Sequence, residues 1–393
     1  MGLAFFEKSC AILTKGLPSS DGLTKIDRKN TKEVLAMDPE KMSILRAFRL
    51  DGAPVSCENY GCGHINATFL AATDTGRRYI LQRINHRAFR NVQALLDNIA
   101  AVTEFLRSKT DDPRRVMTLI RAKDGAPCIR YADEYWRVYD YVGGTICLQQ
   151  PDTDEDFYQA AVGFGTFAQL LSDFPAEKLH ETIPNFHNTP DRYRLFRESI
   201  ERDAARRAAA VRTEIDFALA REAEMTTIQN ALSAGKIPLR VTHNDTKLNN
   251  VLLDSQTRKA LCVVDLDTVM PGSSLYDFGD AIRYGASTAA EDERDLSRVE
   301  MSLERFRVFT RGYVRSCPNL TAEELALLPL GAKTMTMECG IRFLTDHLDG
   351  DLYFAVHREG QNLDRARTQF KLVSDMERKW SEMQRIVAEE SKI

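Results

Sequence analysis

The stretch 241–250 holds the side chains best suited to chemistry. Asp245 is followed by Lys247 two residues later and by Asn250 five residues later, and a further acid, Asp265, follows an apolar run. A carboxylate can accept a hydroxyl proton, and carboxylate and amide oxygens are the ligands that Mg²⁺ prefers. The spacing therefore predicts a phosphoryl-transfer site with Asp245 as catalytic base and Lys247 beside the γ-phosphate of ATP. Asn250 and Asp265 are the predicted ligands of Mg²⁺.

A second candidate metal motif lies further along the chain. The letters Asp277-Phe278-Gly279 spell the metal-binding motif of protein kinases. They lie 27 residues after Asn250 and follow a Pro-Gly-Ser-Ser loop rather than a buried strand. We therefore assign the metal to Asp265 and leave open whether Asp267 also binds it. Asp277 is predicted to cap a helix that begins near Phe278.

Composition bounds the class of protein that carries these residues. The chain has 393 residues, 43% of them hydrophobic, which is enough for two lobes with a sizeable core. A net charge of −4 gives no electrostatic case for a nucleic-acid partner. The sequence has no apolar run of about 18 residues, so no membrane partner is expected. The start lacks a signal-peptide pattern, and the eight scattered cysteines indicate reduced thiols, so a cytoplasmic location is expected. The oligomeric state is left open, with a monomer as one option.

The hydrophobic patterns predict how the chain is organised. Alternating residues at 79–84 and 135–141 are typical of strands, and apolar spacing across 91–109 is typical of a helix. After Gly143-Gly144 the patterns are mostly helical, over 157–171, 193–232 (expected as two helices), 300–315, 322–348 and 363–388. We expect an α+β, protein-kinase-like fold of two lobes. Its predicted parts are an N-terminal extension of unassigned role (1–42), a small β-rich lobe (43–142) and a larger helical lobe (143–393).

The first lobe holds the candidate nucleotide-binding residues. Gly61 and Gly63 lie between two predicted strands, where glycines let backbone N–H groups approach phosphates. On the next strand, alternation places Leu81 and Arg83 on one face. Leu81 is then expected to cover adenine while Arg83 reaches the phosphates, with Gln82 facing away.

Two further features complete the expected nucleotide site. The acidic partner of the strand cation would come from the helix at 91–109, as Asp97 or Glu104. The stretch that ends in Asp140, Tyr141 and Val142 is the predicted hinge, whose backbone groups would bind adenine.

These motifs resemble the aminoglycoside-phosphotransferase and choline-kinase family of small-molecule kinases, and within it the N-acetylhexosamine 1-kinases. The resemblance covers about 45–380, and its hallmarks are the segments 61–66, 79–85, 184–189, 243–248, 265–272, 340–346, 351–354 and 362–367. It implies ATP-dependent phosphorylation of the anomeric hydroxyl of N-acetylglucosamine or N-acetylgalactosamine, without saying which is preferred. By the same resemblance the sugar would contact His64, Thr268, Arg342 and Tyr353.

Two other functions fit parts of the pattern. A kinase with another acceptor, such as choline, homoserine or an aminoglycoside, would keep the same phosphoryl chemistry. An aminoglycoside favours an acidic pocket, whereas the C-terminal segment offers Arg342, His347 and Arg358 beside its acids. A nucleotide-binding module without catalysis is disfavoured because Asp245, Asn250 and Asp265 are all present.

Overall fold

The computed structural model describes residues 38–61 and 65–392. Most of the predicted extension and the candidate residues Gly63 and His64 lie outside the described residues. Two compact units are formed, one by 38–61, 65–85 and 120–141 and the other by 86–119 and 142–392. The segment 86–119, which the sequence placed in the first lobe, therefore belongs with the helical unit.

The smaller unit is built on an antiparallel sheet. Its strands follow the order β1-β2-β3-β6-β4, and β5 pairs with β6. The elements are α1 (Pro39–Arg46), β1 (Pro54–Asn59), β2 (Ala67–Thr73), β3 (Arg78–Ile84), β4 (Leu119–Ile120), β5 (Ile129–Tyr131) and β6 (Glu134–Asp140). Asp38 begins α1 by accepting from the backbone of Glu40, and the apolar side of α1 joins the core over the sheet.

The larger unit is mostly helical and carries short strands around the stretch 243–250, which we call the catalytic loop after its predicted role. Its first elements are α2 (Val92–Arg107), β7 (Thr145–Cys147), α3 (Asp154–Leu170), α4 (Thr189–Arg202), α5 (Arg212–Leu219), α6 (Glu222–Met225), α7 (Thr227–Ser233), β8 (Arg240–Thr242), β9 (Val251–Asp254), β10 (Ala260–Val263) and β11 (Met270–Gly272). The remaining elements are α8 (Ser274–Gly285), α9 (Leu303–Ser316), α10 (Ala322–Asp349), α11 (Gln361–Arg378) and α12 (Trp380–Glu390). The short strands form one sheet of order β10-β9-β7 and a separate β11-β8 pair.

Two stretches that are predicted to be helical form more helices in the structure than the patterns indicate. The stretch 193–232 forms four helices, because α4 ends at Asp203 in the left-handed conformation and the chain turns again at Arg206, which also has a positive φ. The stretch 363–388 forms α11 and α12. Among the residues that the structure describes, no helix is long and apolar enough to span a membrane.

A buried ion pair anchors the strand that leads into the catalytic loop. Arg240 in β8 donates to both carboxylate oxygens of Glu324 at 2.6 Å. Glu324 also accepts from the Ser274 hydroxyl at 2.7 Å and closes the capping box of α10 with Thr321. One fully buried carboxylate thus joins the starts of α8 and α10 to β8.

A glycine contact sets how closely α8 and α10 approach. A Cβ placed at Gly279 would lie 2.3 Å from the Gly331 carbonyl oxygen, and one at Gly331 would lie 2.7 Å from the Leu275 carbonyl oxygen. Neither helix can carry a side chain at this crossing without moving. The position of α8 matters for function because this helix holds the catalytic loop.

Candidate active site

The catalytic loop runs from the end of β8 to the start of β9. A short turn over Leu248–Asn250 joins it to β9. Its backbone has one left-handed residue, Asn244, with φ 64°, a conformation that asparagine tolerates well. The Asn244 amide group donates to the Thr268 carbonyl oxygen at 2.8 Å, which holds that conformation.

His243 is a buried brace within this loop. Its Nε2 lies 2.9 Å from the Val264 carbonyl oxygen, and its Nδ1 accepts from the Asp245 N–H at 3.3 Å. Those contacts require the proton on Nε2. The ring is completely buried and packs edge-on against Phe164 and Phe167 of α3. The imidazole therefore orients the loop, and Asp245 carries the partly exposed carboxylate.

Asp245, Lys247 and Asn250 lie together, as their spacing predicts. Lys247 Nζ is 2.9 Å from Asp245 Oδ1, and Asn250 Nδ2 donates to Asp245 Oδ2 at 3.2 Å and to the Asp245 carbonyl oxygen at 2.8 Å. The carboxylate is thus held from two sides. Because the Asn250 amide nitrogen faces Asp245, its amide oxygen is the atom left to coordinate a cation.

The β9–β10 hairpin brings Asn250 and Asp265 to one end. Val251 pairs with Val263, and the Val264 N–H donates to the Asn250 carbonyl oxygen at 2.9 Å. Asp265 follows directly, exposed and in the left-handed conformation (φ 59°). Mg²⁺ is usually held by one or two protein oxygens together with substrate phosphates. The exposed Asp265 carboxylate and the Asn250 amide oxygen suit that role.

The prediction that Asp277 caps a helix is wrong. Helix α8 begins one turn earlier, with Ser273 as its cap, so Asp277 lies inside the helix. Its two carboxylate oxygens accept from the backbone N–H groups of His243 at 2.8 Å and Asn244 at 2.7 Å. Burial raises the pKa of Asp277, and the nearby imidazole and the loop amides oppose that rise. The side chain holds the catalytic loop and is not placed as a metal ligand.

The remaining letters of that motif also have structural roles. Phe278 is completely buried among Phe306, Phe309 and Tyr313 of α9. One turn further along, Asp280 accepts from the Thr246 N–H at 3.2 Å, which is a second link from α8 to the loop. Burial opposes ionisation of Asp280, but neighbouring cations, Arg283 first, hold its pKa below the usual range.

Thr268, a predicted sugar contact, is buried beside the loop. Its hydroxyl donates to the His243 carbonyl oxygen at 2.6 Å. Because the hydroxyl proton is used in this bond, the Thr268 side chain can contact a sugar only by accepting a hydrogen bond from it. Its contact with a sugar stays a prediction.

Arg342 and Tyr353, the other predicted sugar contacts, lie close to each other. The Arg342 guanidinium is 6.0 Å from the centre of the Tyr353 ring and 5.6 Å from that of Phe354. Both Arg342 and Tyr353 are partly exposed. The structure thus pairs a cation with an aromatic ring, a combination that suits a polar ring-shaped ligand.

A buried cluster connects this pair to the catalytic loop. Glu338, one turn before Arg342 on α10, accepts from the Thr189 hydroxyl at 2.7 Å and lies 2.9 Å from His187 Nδ1. The other nitrogen of His187 is 3.5 Å from the Asn244 carbonyl oxygen. Burial opposes ionisation of Glu338, but His187 and two neighbouring guanidinium groups hold its pKa below the usual range.

One of those guanidinium groups belongs to Arg192, a residue that the sequence did not single out. Its Nη2 donates to the Phe186 carbonyl oxygen at 2.7 Å. Burial lowers the pKa of Arg192, and the like charge of Arg342 adds to that effect. The only sequence signal was its place three residues after the hallmark segment 184–189.

The expected role of Leu81 is wrong. Leu81 is completely buried in the core of the smaller unit with Met42 and Leu45 of α1, so it is not available to cover adenine. Arg83 lies on the same face of β3, exposed, with its guanidinium 6.0 Å from the Trp136 ring. Gln82, on the opposite face, accepts from the buried Arg137 at 3.0 Å.

The other nucleotide-site predictions fall on ordinary backbone and surface positions. Gly61 is exposed with φ 75°. Asp140 pairs with Arg77 at 3.0 Å, and the Tyr141 N–H donates to the Arg78 carbonyl oxygen at 3.2 Å. An adenine would therefore have to use backbone groups of the hinge other than that N–H.

The last two predictions for the nucleotide site concern the hinge residue Val142 and the acidic residues of α2. The Val142 carbonyl oxygen accepts from the Thr145 hydroxyl at 3.0 Å. Of the candidate acids on α2, Asp97 accepts from Gln93 at 2.8 Å and lies 3.9 Å from His180. Asp97 and Glu104 both stay open as partners of Arg83.

Three solved structures with the same fold are those of a phosphotransferase and two kinases. An aminoglycoside phosphotransferase from Alicyclobacillus acidocaldarius subsp. acidocaldarius DSM 446 has a TM-score of 0.60 at 13% identity, covering 88% of this chain and 96% of that one. A microcompartment-associated aminopropanol kinase has a TM-score of 0.54 at 18% identity, covering 88% and 98%. Amicoumacin kinase, solved with AMP-PNP, Ca²⁺ and Ami, has a TM-score of 0.57 at 15% identity, covering 87% and 94%. These matches confirm the predicted kinase-like α+β fold.

A family model extends the likeness from fold to sequence. The model of the phosphotransferase enzyme family APH matches residues 56–311, which is more than half of the chain and includes the whole catalytic loop. The predicted resemblance is thereby confirmed at the level of the family. The chain belongs to the APH phosphotransferase family.

Proposed function

We propose that this protein transfers the γ-phosphoryl group of Mg·ATP to the anomeric hydroxyl of N-acetylglucosamine or N-acetylgalactosamine, giving the sugar 1-phosphate. Membership of a phosphotransferase family supports a small-molecule kinase, and the solved complex of amicoumacin kinase with AMP-PNP and Ca²⁺ supports ATP with a divalent cation. The acceptor is the finer part of the proposal. The charge of the cluster beside the catalytic loop is what supports it.

The choice of a sugar as phosphoryl acceptor is supported by the pair of guanidinium groups around Glu338. The charges of Arg192 and Arg342 both favour the ionised form of Glu338, and the charge of Arg342 also lowers the pKa of Arg192. Glu338 is already bonded by Thr189 and paired with His187. An acceptor that carried an ammonium group beside Arg342 would therefore face the like charge of the guanidinium groups, which costs free energy. A neutral sugar with hydroxyl and acetamido oxygens would accept hydrogen bonds from the same groups.

The catalytic loop supports the phosphoryl chemistry. Asp245 would orient the anomeric hydroxyl and take its proton, a role worth roughly 10²–10⁴-fold in rate. An anomeric hydroxyl is more acidic than an ordinary alcohol, so a carboxylate is an adequate base. Lys247, 2.9 Å from Asp245, places a positive charge where the transferred group would arrive.

The residues of the hairpin end would hold the metal. Asn250 and Asp265 offer one amide and one carboxylate oxygen, both suited to Mg²⁺. When bound, the ion would neutralise charge on the phosphates. Asp245, Lys247 and the α8 contacts would position the acceptor and the loop around it.

A coupled ADP-release assay tests the proposal. Wild-type protein would be compared on N-acetylglucosamine, N-acetylgalactosamine, glucose, choline and homoserine, with Asp245→Asn as the control for contaminating activity. We expect turnover on the N-acetylhexosamines that the control lacks. Turnover confined to choline or homoserine would sink the sugar assignment, and nucleotide binding without any turnover would favour a binding module.

A further inference from the structure

The segment after α10 carries Tyr353 and has an unusual means of support. Helix α10 ends at Asp349, Gly350 follows with φ 101°, and Asp351 has φ 61°. We call residues 350–354 the Tyr353 loop. Leu352, in the middle of this loop, is 78% exposed. Burial of that side chain therefore does not hold the middle of the loop in place.

One buried carboxylate accepts hydrogen bonds from the backbone of this loop. Asp346 Oδ1 accepts from the backbone N–H groups of Leu352 at 2.8 Å and Tyr353 at 2.7 Å. Its Oδ2 accepts from the Phe354 N–H at 2.9 Å and from the Asn362 side chain at 2.8 Å. Three successive backbone donors thus converge on a side chain that is only 4% exposed. Such an arrangement fixes the direction of the loop backbone.

A second set of contacts closes the base of the loop. The Asn362 amide group also donates to Asp351 Oδ1 at 2.9 Å, and Arg207 donates to Asp351 Oδ2 at 2.6 Å. Phe354 packs on Phe343 of α10 with ring centres 4.6 Å apart. The loop is therefore fastened to α10 and α11 on both sides of the exposed Leu352.

The held loop places two side chains beside the cluster of the candidate acceptor site. Tyr353 packs edge-on against Phe354, and the Arg342 guanidinium lies over both rings. Arg342 in turn lies near Glu338, whose partner His187 reaches the Asn244 carbonyl oxygen. These contacts, together with the charge interaction between Arg342 and Glu338, connect the Tyr353 loop to the catalytic loop.

We infer that Asp346 is a positioning residue for acceptor binding: it holds the Tyr353 loop so that Tyr353 and Arg342 present a ready-made surface to an oxygen-rich, ring-shaped acceptor. This inference rests on the proposed function, which places the acceptor beside Arg342 and Tyr353. Asp346 itself touches no reacting atom. Its role is to keep the loop ordered before the acceptor arrives, which lowers the entropic cost of binding.

The test replaces Asp346 by Asn and uses Asp375→Asn as the matched control. Asparagine would put an amide N–H where one carboxylate oxygen now accepts two donors, so two of the four donors would lose their acceptor. Asp375 on α11 is an equally buried carboxylate, 2% exposed, that accepts from the Met301 N–H at 2.8 Å and pairs with Lys379, outside the loop. Both variants lose buried hydrogen bonds, but only the first disturbs the Tyr353 loop.

Steady-state kinetics give the expected split. We expect Asp346→Asn to raise the KM for the acceptor about tenfold or more, with the KM for ATP changed by less than about twofold. Asp375→Asn should leave both constants within about twofold of wild type. Equal effects of the two variants, or an unchanged acceptor KM in Asp346→Asn, would overturn the inference.

Hydrogen exchange supplies a readout that does not depend on the acceptor or on a variant that folds. In wild-type protein without substrates, the amides of residues 352–354 should be protected although the Leu352 side chain is exposed. In Asp346→Asn they should exchange at least about tenfold faster. Unprotected amides in the wild type would overturn the inference. If the wild type phosphorylates no N-acetylhexosamine, the proposed function fails, while exchange and the KM for whichever acceptor it does use still decide the role of Asp346.

Discussion

Replacing Asp277 and Asp265 each by asparagine should show which of the two supports the catalytic loop and which binds the metal. In Asp277→Asn an NH₂ group, which cannot accept a hydrogen bond, replaces one carboxylate oxygen, so one of the two N–H donors from His243 and Asn244 loses its acceptor. A buried donor left without a partner costs about 1–3 kcal/mol. Asp277→Ala would leave both donors unsatisfied and should cost roughly 2–6 kcal/mol. The cost of burying the carboxylate, which raises the pKa of Asp277, would offset part of that loss.

Asp265→Asn is the matched change at the metal position. Asp265 is exposed, and asparagine accepts its left-handed backbone without strain. We therefore expect the free energy of unfolding to change by less than about 0.5 kcal/mol. Turnover with Mg·ATP should nevertheless be lost, because a carboxylate ligand is replaced by a neutral amide.

Urea unfolding followed by circular dichroism would measure the free energy of unfolding of these variants. Titration with Mg²⁺ at fixed ATP would measure the metal dependence of turnover. An Asp277→Asn protein with wild-type stability and no response to Mg²⁺ would refute the assignment, because it would make Asp277 the metal ligand. Wild-type Mg²⁺ dependence in Asp265→Asn would refute it from the other side.

Three further changes test other parts of the structure. Asp245→Asn should lower kcat by roughly 10²–10⁴-fold with nucleotide binding retained, as fluorescence titration with ATP would show; full activity would remove Asp245 as the base. Because neighbouring cations hold the pKa of Glu338 below its ordinary value of 4.5, its contribution to stability is present above pH 4.5 and lost as pH falls through that value toward the folded-state pKa. Glu338→Gln should therefore be less stable than wild type at pH 7 and lose stability less steeply below pH 4.5; parallel pH profiles would contradict this. Gly279→Ala forces a methyl group against the Gly331 carbonyl oxygen and should cost about 1–3 kcal/mol in thermal unfolding.

Local spacing predicted the parts of the site that lie close together in the chain. Asp245, Lys247 and Asn250 occur within one loop, and the apolar strands on either side of the hairpin bring Asp265 to the same end. The alternating and helical patterns likewise predicted β3, β6, α2 and α3. These features depend on periodicity and hairpin geometry, which residues close together in the sequence determine.

Contacts between distant segments were the part that spacing could not supply. The sequence did not distinguish Asp277 from Ser273, the actual cap of α8, because aspartate and serine are equally good capping residues. The bonds of Asp277 to the catalytic loop span more than thirty residues, and the His187–Glu338 contact spans 151. Alternation placed Leu81 and Arg83 on one face of β3 but did not show that α1 covers that face.

Phosphorus NMR of the reaction product tests the central claim most directly. Wild-type protein would be incubated with Mg·ATP and N-acetylglucosamine or N-acetylgalactosamine, and the coupling between phosphorus and the sugar protons would identify the phosphorylated carbon. We predict a phosphate coupled to the anomeric proton, absent from the Asp245→Asn reaction. A phosphate coupled to the C6 protons, or no sugar phosphate while an amine-bearing acceptor is phosphorylated, would contradict the account.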